Sequence, residues 1–145
     1  MDNLQAAPPP PPDAHKSPVL VSIGPTPYTC AVSAYGHTLT GDEPRAFGGQ
    51  DRGPNPYGFL LTALGTCKAI TCKMYAARKQ WPLEDVHVAL SHHRQGKAES
   101  IDVEIQFVGP LDRAQLERLA EIAERCPVHR TITGGLTINT TLVTE

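Results

Sequence analysis

The sequence has no excess of either charge: 13 lysines and arginines stand against 15 aspartates and glutamates, a formal net charge of −2 over 145 residues. With a pI near 6.3, nothing electrostatic points to nucleic acid or an acidic membrane as a partner. The N-terminus lacks a basic segment followed by an apolar stretch, so it does not read as an export signal. A membrane-spanning run of roughly 20 apolar residues is missing too. The best candidate, beginning at Phe59, is broken by Lys68, Lys73, Arg78 and Lys79. Four cysteines in such a chain favour reduced thiols in a cytoplasmic setting.

What is present is organised around residues 53–72. Pro54, Asn55 and Pro56 form a helix-start signal, since a proline is tolerated in the first turn, where its missing N–H would have no partner. No further proline occurs before Pro82, which leaves room for about seven helical turns, to about Gln80. From Phe59 to Ile70 apolar and small residues leave no polar stripe. Such a helix is expected to be buried.

On either side the chain changes period. Residues 1–17, with prolines from Pro8 to Pro12, predict an extended, disordered tail. Residues 18–145 read as one domain. Val19–Ile23, Tyr28–Tyr35 and His37–Thr40 read as strands, followed by a long aperiodic loop over 41–52 that holds Arg45 and Arg52. After the helix, Val86, Val88 and Leu90, then Ile101, Val103, Ile105 and Phe107, alternate with polar or small residues as in a hairpin with one wet face. Asp112 and Gln115 form a capping box for an amphipathic helix with Leu116, Leu119, Ala120 and Ala123 as its apolar stripe. Residues 128–133 are ambiguous, and the alternation of Leu136, Ile138, Thr140 and Leu142 predicts a final strand. Strands, helix, hairpin, helix, strand is an α+β order.

Two cysteines stand where chemistry is conceivable. Cys67 lies mid-helix, on the face of Leu60, Ala63, Leu64, Ile70, Thr71 and Met74. It can equally be a small buried hydrophobe. Cys72 points about 140° away from it, a poor geometry for an intrahelical pair. Cys72 and Cys30 read as structural. Cys126 ends the second helix in Cys126-Pro127-Val128-His129-Arg130, and its spacing to His129 is that of half a zinc site. The second half is not evident; His92-His93 is the only weak candidate, and no metal is expected.

The segments at 53–57, at Ala63-Leu64-Gly65-Thr66-Cys67 and at 126–130 together resemble the osmotically inducible protein C and organic hydroperoxide resistance family (OsmC/Ohr). The loop of Asp42-Glu43-Pro44 and Gly48-Gly49 is similar to one branch of it. The resemblance covers about residues 18–143. It implies an intertwined α+β homodimer with central helices wrapped by sheets and active sites at the subunit interface. It implies no cofactor. It further implies thiol-dependent reduction of organic hydroperoxides in oxidative-stress defence. Cys67 would be the peroxidatic thiol, Cys126 the resolving one, and an external dithiol the reductant. The alternative is a non-catalytic relative that binds a small hydrophobic or electrophilic ligand at the interface.

Burial in an apolar helix opposes ionisation of a thiol, so a positive charge must come from elsewhere. In the family an arginine supplies it, held by a glutamate. Arg45 is the candidate here and Arg52 the runner-up. The glutamate positions of the two family branches are occupied by Tyr57 and Gly58. Asp42, Glu43 and Asp51 are the acidic residues left in the preceding loop to hold the arginine.

Overall fold

The computed structural model describes residues 18–144; the tail expected over 1–17 lies outside them. The chain forms two compact units, divided between Leu60 and Leu61.

The first unit is built on a three-stranded antiparallel sheet in the order β1 (Val19–Ile23), β2 (Cys30–Ala34), β3 (His37–Gly41). Tyr35 and Gly36 join β2 to β3 with φ of 48° and 85°. Positive φ at both central residues is the turn whose twist matches that of paired strands. The register places Val21 opposite Val32 and Val32 opposite Leu39, so one face of the sheet is apolar. Tyr28, Pro54, Pro56 and Phe59 extend that face into a concavity of about 640 Å³.

The loop over 41–52 is ordered by one carboxylate. Asp42 is 3 % exposed. Its Oδ1 accepts from the N–H groups of Tyr28 (3.3 Å), Glu43 (2.7 Å) and Gln50 (3.3 Å). Its Oδ2 accepts from the Thr29 hydroxyl (2.8 Å) and the Arg52 N–H (3.3 Å). Burial alone would push this carboxyl up, but the Thr29 hydroxyl and the Glu43, Gln50 and Arg52 N–H groups outweigh it and hold it below its ordinary value. A loop without periodicity thereby acquires a fixed path into the central helix.

That helix, α1 (Pro56–Lys79), opens with the Gly58 N–H donating to Asn55 Oδ1 at 2.8 Å, as the Pro-Asn-Pro signal anticipates. The expectation of burial all round is not met within one chain. The buried face is Leu64, Gly65, Lys68, Cys72 and Ala76, whereas Ile70 and Met74 are 49 % and 64 % exposed. The described elements that pack on α1 cover that one face and leave Ile70 and Met74 open.

The second unit adds a hairpin, β4 (Asp85–Gln95) with β5 (Ala98–Val108), and two helices, α2 (Arg113–Ala123) and α3 (Pro127–Gly134). Gly96, at φ 62°, opens the two-residue turn. Gly65 lets α1 approach β4, because a Cβ there would stand 2.7 Å from Leu90 Cδ1. The core comprises Cys72, Ala76, Leu83, Leu119, Ile122 and Ala123, with Trp81, Ile105 and Phe107 packed on it.

Three expectations change here. The capping box of Asp112 and Gln115 forms, but the buried stripe of α2 is Leu119, Ile122 and Ala123, while Leu116 and Ala120 are exposed. The ambiguous 128–133 is helical, with Cys126 as its cap and Pro127 in its first turn. The final strand does not form: residues 135–144 have no regular structure, and Leu136, Ile138 and Leu142 are 63 %, 79 % and 87 % exposed. Alternation provides a strand with a face but not with an edge to pair to, and among the described residues this segment pairs with none.

Candidate thiol site

The second unit brings Cys67 and Cys126 together. Positions 64, 68, 72 and 76 of α1 form a buried i,i+4 line. Cys67, one residue off that line, emerges half-buried at its margin. Cys126 is fully buried at the N-cap of α3, where its Sγ accepts from the His129 N–H at 3.3 Å. The two thiols are near enough for Cys67 to act on the Cys126 thiol, and both are free. Thr71 Oγ1 lies 4.0 Å from Cys67 Sγ, one turn along the helix.

Burial pushes the Cys126 thiol up, the His129 N–H pulls it back, nearby Cys67 raises it again, and Lys68 pulls it down. The net direction is upward. Cys72 behaves differently. It is in the core, within hydrogen-bonding distance of the Leu119 carbonyl at 3.5 Å, and burial pushes it up to about 11 despite the charge of Lys68. It is therefore expected to remain a protonated, unreactive thiol at neutral pH, consistent with the structural role read from sequence. Because the folded value is the raised one, its stabilising contribution holds below the unfolded thiol's range and is lost as pH climbs towards about 11. Thermal melts of the wild-type and Cys72→Ala proteins should converge across that window; parallel curves would reject the assignment.

The residue that sequence reasoning passed over is Lys68, read there only as an interruption of an apolar run. It is 1 % exposed. An unsatisfied buried ammonium would be strongly unfavourable, and this one is satisfied. Nζ donates to the Ala123 carbonyl in the last turn of α2 (2.9 Å) and lies 2.9 Å from His129 Nδ1. Glu124 Oε1 is 3.9 Å away. The carbonyl end of a helix favours a cation. Since an ammonium only donates, Nδ1 must accept, which leaves the ring proton on Nε2, 3.8 Å from Glu124 Oε2. A sequence signal existed: Lys68 falls four residues after Leu64 and four before Cys72, on the buried line.

The other candidates belong to other segments of the chain. Arg45 is exposed in a short 3-10 turn, Arg45–Phe47, of the first unit. Arg52 is half-buried in the same unit. Both oxygens of Asp42 are engaged by the loop's own donors, so its evident work is to hold the loop. His92 pairs with Glu99 and His93 with Asp102, each at 3.0 Å. Among the described residues no three His, Cys, Asp or Glu side chains gather as metal ligands would. Among them, too, no helix is long and apolar enough to cross a membrane.

The same arrangement of elements recurs in known structures. A candidate osmotic stress induced and detoxification response protein of Psychrobacter arcticus superposes with a TM-score of 0.70 at 15 % identity, over 79 % of this chain and 87 % of that one. The OsmC like protein of Mycoplasma pneumoniae gives 0.63 at 19 %, over 80 % and 89 %. An organic hydroperoxide resistance protein OsmC of Legionella pneumophila gives 0.58 at 22 %, again over 80 % and 89 %. At these identities the likeness establishes the fold. Among curated proteins nothing matches the chain. The sequence profile of OsmC-like proteins, however, matches residues 48–141, a span that contains Cys67, Lys68, Cys126 and His129. With the α+β fold, this places the chain in the family of OsmC-like proteins.

Proposed function

We propose that the protein is a thiol peroxidase acting on organic hydroperoxides, with Cys67 peroxidatic and Cys126 resolving. The observation that carries this is the proximity of two free thiols, one half-buried and one fully buried. The Cys67 thiolate attacks the distal peroxide oxygen, the O–O bond breaks, and with one proton the alkoxide leaves as an alcohol. Cys67 is then a sulfenic acid. Cys126 sulfur attacks it, the S–S bond forms, the S–O bond breaks, and the thiol proton leaves with the hydroxyl as water. An external dithiol reduces the disulfide by exchange, becoming oxidised itself. No cofactor is needed. Arg45 is proposed as the group that favours the Cys67 thiolate, on the resemblance alone. The hydroperoxide resistance protein of Legionella pneumophila, similar in fold, lends the reading support.

The site is proposed to be completed by a second copy of the chain. Three apolar features support this: the concave sheet face, the exposed Leu60, Ile70 and Met74 of α1, and residues 135–144, which alternate like a strand without a partner. Light scattering should give about twice 15.7 kDa. A folded monomer at micromolar concentration would reject that assembly.

The test of function is consumption of cumene hydroperoxide with a panel of dithiols, followed by peptide mapping. A Cys67–Cys126 disulfide with turnover is the expected result. A second reading, a carrier of a small hydrophobic ligand, is favoured by the apolar concavity. Binding of a fluorescent fatty acid without any peroxide turnover would select it.

A further inference from the structure

We infer that Lys68, held by His129 and Glu124, is a positioning residue for the resolving half-reaction: its charge favours the Cys126 nucleophile rather than the Cys67 one. This rests on the peroxidase reading and goes beyond it by assigning the second step its own cation. The arginine of the family pattern answers only the first step. The second has the harder problem, because Cys126 is fully buried whereas Cys67 is half-open.

The geometry supplies the answer on the Cys126 side. His129 links the two groups: its ring nitrogen Nδ1 meets Lys68 Nζ at 2.9 Å, and its backbone N–H meets Cys126 Sγ at 3.3 Å. Glu124, two residues before Cys126 in sequence, lies 3.9 Å from Lys68 Nζ and 3.8 Å from His129 Nε2. The Ala123 carbonyl accepts from the Lys68 ammonium at 2.9 Å and orients it. Among the described residues, the charged and titratable groups near Cys126 are Cys67, Lys68 and Cys72 from α1, His129 from α3 and the flanking, exposed Arg125 and Arg130, with Glu124 reaching Lys68 and His129. Lys68 is the cation within that ring that is also buried, where its field is least screened by solvent. The lowering effect of Lys68 on Cys126 runs in the same direction.

In the resolving step the Cys126 sulfur is oxidised as it forms the S–S bond, and the Cys67 sulfenic sulfur is reduced as its S–O bond breaks. The departing hydroxide takes the proton given up by Cys126. A neighbouring ammonium stabilises the charge on both the attacking sulfur and the leaving oxygen.

Two measurements test this. In a Cys67→Ser background the ultraviolet thiolate absorbance of Cys126 is titrated, with the Cys67→Ser/Cys126→Ser protein subtracted. Lys68→Met and Lys68→Gln should each raise the midpoint by about one pH unit or more, a tenfold smaller thiolate fraction near neutrality, and Lys68→Arg should restore part of it. Gln keeps a donor for the Ala123 carbonyl, so it carries the test if Met unfolds. With Cys67 intact, Lys68→Gln should oxidise Cys67 at the wild-type rate. The trapped sulfenic acid should then persist about tenfold longer and accumulate as sulfinic acid. An unmoved midpoint in a folded variant overturns the inference. A slowed first step with normal disulfide formation also overturns it, by assigning Lys68 to Cys67. If wild-type Cys67 is never oxidised by hydroperoxide, the peroxidase reading fails, while the Cys126 titration still decides the role of Lys68.

Discussion

Cys67→Ser is expected to lose organic hydroperoxide reduction by a factor on the order of 10³ or more, since a serine hydroxyl cannot replace a thiolate as nucleophile. Cys126→Ser is expected to fail differently. It should consume one equivalent of peroxide and stop, holding Cys67 as sulfenic acid that a dimedone trap and mass spectrometry can count. Cys30→Ser and Cys72→Ser should keep turning over. Cys72 faces the core beside the Leu119 carbonyl and is not in the thiol pair. The contrast between the first two variants is the informative part. If Cys126→Ser cycles at the wild-type rate, the external thiol resolves Cys67 directly and Cys126 is only a neighbour. If Cys67→Ser retains turnover, the peroxidatic assignment is wrong.

Asp42→Ala should be the most destabilising single change in the first unit. It removes the acceptor of four backbone N–H groups and of the Thr29 hydroxyl, at a position 3 % exposed. Stranding several buried donors costs about 3–4 kcal/mol. Asp42→Asn, which keeps one acceptor oxygen, should cost less. The effect carries a pH signature of definite sign. The folded carboxyl is held below its ordinary value. Its stabilisation is therefore complete above the ordinary aspartate range and is lost as pH falls through that range and below it. Denaturant melts of the wild-type and Asp42→Asn proteins should converge at acid pH and separate towards neutrality. A constant gap at every pH would show that the carboxylate charge is irrelevant to the loop.

Sequence by itself determined the elements whose signals are local. The Pro-Asn-Pro start of α1, the alternation of β4 and β5, and the capping box of Asp112 with Gln115 each need only neighbours within a few residues, and each is found as read. The two cysteine motifs, set about sixty residues apart in a family's order, also single out Cys67 and Cys126. Tertiary structure decided everything that depends on a partner surface. In α2 the stripe Leu116, Leu119, Ala120 and Ala123 and the stripe Leu119, Ile122 and Ala123 both suit a helix, and packing with Cys72, Ala76 and Leu83 selects the second. The segment 135–144 has the alternation of a strand but forms none, because a strand exists only against another edge. Lys68 is the sharpest case. Burial of an ammonium is decided by whether distant groups can satisfy it, and its partners Ala123, Glu124 and His129 lie more than fifty residues away in the chain.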